Sequence, residues 1–383
     1  MTNTTDKLNS TDVPHIFHVI PSFAHGGVPI LISILMNHFG SSARHSLLST
    51  NGDYSCSSRL SQTINYTIPH IGDADKGNML QRIYRYRKVI AEIRPDLLVT
   101  YHWGAMEWAM ANSFKPLCRH FHMESGFGPD EAKGTNPKRN LFRRLALRNI
   151  EGIIVPSMTL RRICQQDWAF ADDKIHYIPN GVNCDHYAAE PLKGIISGFS
   201  RQKDDVVIGT MTPLRPEKNL SRLITAFRDL RLSHPGKKFK LIIMGEGNER
   251  PLVEKLIADY GLKDQIFLPG HIDQPERALG WLDIYAISSD TEQMPTSLNQ
   301  AMAASLPIVG TDVGDVKYMM HDQNKPFIAP AGDDLAFTKA MIALATDAGL
   351  RQKLGQMNKK HVKDRFDEAD MFTAYENLWH IAK

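Results

Sequence analysis

The stretch Thr291–Gly314, TEQMPTSLNQAMAASLPIVGTDVG, sets the reading of the whole chain. A polar run ends at Pro295, which suits a first helical turn because its missing N–H is not needed there. The residues from Pro295 to Ser305 then read as a helix. The apolar run Leu306–Val309 follows, and Gly310-Thr311-Asp312-Val313-Gly314 reads as a strand closing in a glycine loop. Glu292 stands just ahead of the helix, and the N–H groups of Thr296, Ser297 and Leu298 are expected to point back past it. A carboxylate can hold hydroxyls, and a helix N-terminus can hold an anion. Together they suit a ligand that is part polyol and part phosphate.

Upstream, the same alternation of strand and helix recurs. Val206–Met211 reads as a strand, and Thr212-Pro213-Leu214-Arg215-Pro216-Glu217-Lys218 as a loop entering a helix over 219–232. Phe239–Met244 reads as a strand ending in Gly245-Glu246-Gly247, followed by a helix over 249–260. Gln265–Leu268 and Ile284–Ser288 read as further strands, with a helix over 274–282 between them. Ahead of these, Glu190–Asp205 carries Pro191, Gly194, Gly198 and the charged cluster Arg201–Asp205, and is read as a linker.

The N-terminal half alternates in the same way. Ile16–Phe23, His25-Gly26-Gly27 and Val28–Phe39 read as strand, glycine turn and helix. Strands are expected over 44–50, 66–71, 96–101, 117–123, 152–155 and 176–178, and helices over 80–93 and 137–149. Such alternation predicts parallel sheets covered on both faces. Two doubly wound halves predict a ligand cleft between them, with ligands beyond the carboxyl ends of strands. The expected division is a disordered N-terminus over 1–14, a first domain over 15–189, the linker over 190–205, a second domain over 206–365 and a terminal helix over 366–383.

Composition narrows the possibilities. A length of 383 residues favours two domains. Apolar content of 42% and charged content of 23% are those of a soluble globular protein, and a net charge of +3 gives no argument for nucleic acid. Cys56, Cys118, Cys164 and Cys184 form no C-x-x-C pair and read as reduced cytosolic thiols. The polar start lacks a signal core, and no apolar run reaches the roughly 18 residues of a membrane span. Any membrane contact is expected to be peripheral, and the location cytoplasmic.

Several groups carry candidate chemistry. Gly26-Gly27 lacks the full dinucleotide spacing but lets a ligand approach the backbone; a tight turn is the plainer reading. Arg215 and Lys218 lie within one turn of a helix start, where cations oppose the helix dipole; neutralising a diphosphate would explain them, and a solvated loop is the alternative. His122 follows a strand and precedes Glu124-Ser125-Gly126, with His102 and His25 at similar strand ends. Lys138, Arg139, Arg143, Arg144 and Arg148 alternate with apolar residues, giving either a basic helix able to lie on anionic lipid or an ordinary surface helix. The motifs G-x-S-x-G, H-E-x-x-H and the P-loop do not occur.

Taken together, His25-Gly26-Gly27, Ile178-Pro179-Asn180-Gly181-Val182, Arg215-Pro216-Glu217-Lys218-Asn219-Leu220, Met244-Gly245-Glu246-Gly247, Phe267-Leu268-Pro269-Gly270, the opening stretch and Ile328-Ala329-Pro330-Ala331-Gly332-Asp333 resemble glycosyltransferase family 4. The resemblance runs from about His15 to the C-terminus. It implies the α/β GT-B fold, with an N-terminal Rossmann-like acceptor domain, a C-terminal Rossmann-like nucleotide-sugar donor domain and a last helix that packs back on the first. It also implies a retaining, metal-independent hexosyl transfer from a nucleotide diphosphate sugar to an acceptor hydroxyl, with no cofactor.

Residue by residue, the resemblance puts Glu292 at the donor sugar and Lys218 at the diphosphate. His122 looks like the cleft histidine, Gly27 lies near the donor phosphate and the acceptor, and Glu246 and Gly247 lie near the base. The second acid of the family's paired element falls at Gln300, which keeps an acceptor oxygen for the ribose but not the charge. The usual diphosphate arginine falls at Pro213, with Arg215 two residues along. The expected setting is bacterial surface polysaccharide or glycolipid synthesis, with a saccharide or lipid-linked acceptor. The alternative, fed by Gln300 and Pro213, is a catalytically weak nucleotide-sugar binding protein or partner subunit.

Overall fold

The computed structural model describes residues 13–126 and 136–381. The expected disordered segment, 1–14, lies outside the described residues except for Val13 and Pro14. The chain forms two compact units, one of residues 1–179 and 372–383 and the other of residues 180–371.

The first unit holds a seven-stranded sheet built from β1 (His15–Ile20), β2 (Arg44–Ser49), β3 (Tyr66–Thr67), β4 (Leu97–Tyr101), β5 (Arg119–Met123), β6 (Gly152–Val155) and β7 (Ile175–Tyr177). Its order is β3-β2-β1-β4-β5-β6-β7, and every pairing is parallel. A parallel strand buried on both faces needs a nearly continuous apolar run, and β4, LLVTY, is buried throughout. The weakest expected strand, 66–71, shrinks to the two residues of β3.

Histidines interrupt this pattern. His18 and His45 are buried inside β1 and β2. They are tolerated because each finds a partner: the His18 ring nitrogens lie 2.8 Å from the Tyr101 hydroxyl and 3.1 Å from His45 Nδ1.

The second unit holds a six-stranded sheet built from β8 (Asp205–Met211), β9 (Lys238–Met244), β10 (Ile266–Gly270), β11 (Ile284–Ile287), β12 (Ile308–Asp312) and β13 (Ile328–Pro330). Its order is β10-β9-β8-β11-β12-β13, again parallel throughout. Helices Leu220–Ser233 and Asp334–Thr346 pack together and bury Phe227, Leu230, Phe337 and Met341 in one apolar cluster.

The chain enters the second unit at Asn180, ahead of the segment 190–205 that was expected as the linker. That segment is part of the second unit. Ile196 is buried in its core, Trp281 Nε1 donates to the Leu192 carbonyl at 3.0 Å, and Arg201 binds both Asp283 oxygens at 2.8 Å. Its prolines and glycines mark a loop, but its apolar residues are spent on packing, which composition alone does not reveal.

Each sheet has a point where strand order reverses, between β1 and β4 in the first and between β8 and β11 in the second. The loops beyond the carboxyl ends of these strands are where doubly wound sheets hold ligands.

Candidate active site

In the second unit, the reversal point brings together the loops after β8 and β11. The first loop runs to a short turn, Pro216–Lys218, and Asn219 then opens the helix Leu220–Ser233. Asn219 takes a left-handed φ of 41°, which Asn tolerates better than most residues, and its side-chain oxygen caps the Arg222 N–H at 3.1 Å. Its amide nitrogen donates to both oxygens of Asp290 at 3.1 Å, stapling the two loops.

Further bonds lock the same register. The Asp290 N–H donates to the Glu217 carbonyl at 2.8 Å, and Ser288 Oγ donates to the Lys218 carbonyl at 2.9 Å. The buried Arg222 donates to the Ser288 carbonyl at 2.7 Å and pairs with Asp290 and Asp334.

This scaffold sets Lys218 Nζ 2.6 Å from Glu292 Oε1. Both side chains are largely enclosed, at 16% and 10% exposure. Ser289 Oγ also donates to Glu292 Oε1, at 2.7 Å, and the Ser289 carbonyl is itself held by Thr311 Oγ1 at 2.6 Å. Both bonds fall on Oε1, so Oε2 has no hydrogen-bond partner among the described residues. Gly314 closes the loop from behind: its φ is 55°, and a Cβ there would sit 2.1 Å from the Glu292 carbonyl oxygen. Only glycine meets both conditions.

The helix after Glu292 runs Thr296–Ala303, with Pro295 at its N-cap, two residues shorter at the C-terminal end than expected. The expectation of three open N–H groups needs correction, because the Leu298 N–H donates to the Pro295 carbonyl at 3.0 Å. Thr296 and Ser297 remain at the open end. Gln300 lies in the same helix, and its side-chain amide has no partner among the described residues.

Arg215 is exposed, 4.0 Å from Glu217, and is not held against Lys218 or Glu292. Gly247 has a structural reason to be glycine, since a Cβ there would meet the Leu214 carbonyl oxygen at 2.2 Å. Glu246 is exposed and paired with Arg250 at 2.6 Å.

In the first unit, Gly27 begins the helix Gly27–Phe39, and a Cβ added to it would meet nothing within 4 Å. Packing therefore gives no reason for glycine at that position. His122 does not stand open as the sequence suggested. It is fully buried near the end of β5; Nδ1 lies 2.9 Å from Thr100 Oγ1, and Nε2 has no hydrogen-bond partner among the described residues. Burial lowers its pKa, against the pull of nearby Glu124.

Glu124 is also buried. Burial alone would raise its pKa, but the bond from His102 and the charge of nearby His122 outweigh this and hold it at about 2. His120, buried on the same strand, is lowered to about 3 by burial and then by His122. His120 was missed because its strand is buried on both faces, where alternation gives no signal.

The basic helix runs Pro137–Ala146. Lys138, Arg144 and Arg148 are exposed, but Arg143 is fully buried, with its guanidinium over the rings of Trp103 and Trp168. Arg139 lies half-buried over Trp103 at 4.8 Å. The expected five-residue basic surface is therefore three exposed cations around Leu141 and Leu145, which are 58% and 46% exposed. Among the described residues no helix is long and apolar enough to cross a membrane, and no cluster of three metal-ligating side chains occurs.

Comparison with known proteins follows this architecture. Residues 40–186 match the family described as Glycosyltransferase Family 4, and residues 195–361 match Glycosyl transferases group 1. An uncharacterized glycosyltransferase of Methanocaldococcus jannaschii is 24% identical over 250 residues, 61% of this chain and 60% of that protein. The phosphatidyl-myo-inositol mannosyltransferase of Mycobacterium leprae is 28% identical over 264 residues, 64% of this chain and 62% of that protein. The chain thus spans less than two thirds of the length of these curated relatives. The crystal structure of Anabaena HepE in complex with UDP superposes with a TM-score of 0.80 at 16% identity, covering 96% of this chain and 99% of that one. That likeness shows the fold to be GT-B.

Proposed function

The chain belongs to the family 4 type of GT-B glycosyltransferases, and from that membership we propose that it moves a sugar from a nucleotide diphosphate sugar to an acceptor hydroxyl. The observation that carries this reading is the Lys218–Glu292 pair at the reversal point of the second sheet. Glu292 Oε2 is left to accept a donor-sugar hydroxyl. Lys218 is the cation for the diphosphate, whose charge grows as the glycosidic bond breaks. Thr296 and Ser297 at the helix start add donors to the same anion. Gln300 accepts a ribose hydroxyl without charge assistance. Exposed Arg215 swings toward the diphosphate, and Glu246 and Gly247 border the base. In the first unit, Gly27 leaves room for close approach of a ligand to its backbone, and buried His122 acts on its neighbours and not on the sugar.

The transfer is proposed to retain anomeric configuration and to need neither metal nor cofactor. HepE was solved with UDP, and relatives include a phosphatidylinositol mannosyltransferase and lipopolysaccharide core glycosyltransferases. These support a uridine-type donor and an acceptor in glycolipid or surface polysaccharide synthesis. The exposed Leu141 and Leu145 amid Lys138, Arg144 and Arg148 support peripheral contact with anionic lipid at a cytoplasmic membrane face.

Thermal-shift screening against UDP, GDP and ADP sugars tests the donor class, because a ligand that binds the folded state raises its apparent stability. A shift with one nucleotide series, lost in Lys218→Ala, is the expected result. No shift with any series counts against the reading. A shift without any sugar transfer would favour a binding subunit.

A further inference from the structure

The first sheet has its own reversal point, between β1 and β4, and the residue that leaves β4 there is His102. Its backbone is unusual. His102 has φ 57° and ψ 179°, a conformation that glycine adopts readily and other residues rarely. Such strain persists only where the surroundings fix it, and here they do. The His102 N–H donates to the Met123 carbonyl at 3.0 Å, and its carbonyl accepts the Ala105 N–H at 3.2 Å. Two residues on, a Cβ at Gly104 would strike the Pro21 ring at 2.7 Å, so the turn is pressed against the end of β1.

The side chain is held as firmly. His102 Nδ1 lies 2.7 Å from Glu124 Oε1, and Glu124 is 1% exposed at the end of the neighbouring strand β5. A carboxylate that stays ionised while buried accepts a hydrogen, so Nδ1 carries the proton. Nε2 is then the ring nitrogen left for a ligand. It has no hydrogen-bond partner among the described residues, and the ring is 28% exposed. The groups facing the dyad are His122, whose Nε2 is 3.9 Å from Glu124 Oε2, and, behind His122, Arg143 of the helix Pro137–Ala146.

We propose that the His102–Glu124 dyad is a hydroxyl-binding site of the first unit, in which His102 Nε2 accepts a hydrogen bond from a hydroxyl of the acceptor saccharide. The geometry fits this role better than a structural one. A histidine needed only to satisfy Glu124 would require neither a left-handed backbone nor an exposed second nitrogen. The chemistry also suits a polyol, since an imidazole fixed by a carboxylate is an oriented hydrogen-bonding group with no rotamer freedom to lose. Gly27, at the other loop of the same reversal point, leaves open space there. This proposal rests on the glycosyl-transfer reading for its ligand class, but not for its geometry.

The test uses full-length protein with ¹⁵N-labelled histidine and a panel of octyl glycosides (α-glucoside, α-galactoside, α-mannoside) as acceptor probes. At pH 7.5 the wild-type His102 resonances are expected to report the Nδ1–H tautomer, and Glu124→Gln to abolish that preference. At least one glycoside is expected to move the Nε2 resonance and to serve as acceptor. In His102→Gln its KM should rise tenfold or more. His102→Gly, which adopts this backbone without strain, is measured beside it so that a folding defect is not mistaken for lost binding. The dyad is overturned as a hydroxyl site if no glycoside moves the Nε2 resonance, or if both variants keep the wild-type acceptor KM. If no nucleotide sugar is turned over, the transfer reading fails, and the resonance titration still decides the dyad.

Discussion

Lys218 Nζ and Glu292 Oε1 lie 2.6 Å apart although 74 positions separate them in sequence. The pair is largely enclosed, so each residue fixes the other before any ligand arrives. Residues that act as a unit lose their effect together. Lys218→Ala and Glu292→Ala are each expected to lower kcat/KM for transfer about 10²-fold, as for losing one preorganised group. The double variant should fall little further. Strictly multiplicative losses in steady-state kinetics would show that the two act separately.

The glycines offer a contrast. Gly314→Ala places a methyl at a left-handed position and against the Glu292 carbonyl. It is expected to cost about 1–3 kcal/mol and to weaken donor binding by displacing Glu292. Gly27→Ala meets open space, so its stability should stay within roughly 0.5 kcal/mol of wild type. If a ligand uses that space, transfer falls in Gly27→Ala with no loss of fold. Urea denaturation alongside nucleotide titration separates the two effects.

Acid should weaken the first unit. His45 is lowered from 6.5 to about 4 by burial and then by the charge of His15, and burial lowers His18 well below its ordinary value. The folded chain keeps these rings neutral, whereas the unfolded chain takes up protons below pH 6.5. Stability is therefore full above that pH and declines as pH falls toward 4. His45 alone contributes roughly 3 kcal/mol to this loss, at about 1.4 kcal/mol per unit. Urea midpoints at pH 7.5, 6 and 5 measure it. His45→Asn should flatten the decline, and an unchanged slope would contradict the assignment.

The basic helix divides by role. Lys138→Ser, Arg144→Ser and Arg148→Ser should weaken sedimentation with anionic vesicles by about 1 kcal/mol per residue at low salt. Arg143→Met should leave vesicle binding unchanged and lower the melting temperature, because it removes a buried cation packed on two tryptophans. Equal vesicle binding in all four variants would remove the membrane assignment.

Much of this was legible in the chain. The alternation of apolar runs with amphipathic segments gave the two parallel sheets, because buried strands and surface helices follow different periods. Glu292 and Lys218 were legible as polar groups at strand ends, and the structure brings them together. Three things were not legible. The segment 190–205 looked like a linker because loops are recognised by composition, while its packing depends on Arg277, Trp281 and Asp283 far along the chain. Arg143 looked like a surface cation because helical spacing does not reveal aromatic rings waiting on the buried side. His122 looked open because it is near a strand end, yet β5 is buried on both faces from His120 to Met123.

The most direct test of the central claim is release of nucleoside diphosphate from the nucleotide sugar that best stabilises the protein, measured with wild type and Glu292→Ala under identical conditions. The account predicts steady release by wild type that rises with a hydroxylated acceptor and drops about 10²-fold in Glu292→Ala at similar thermal stability. Equal release by both proteins would contradict it.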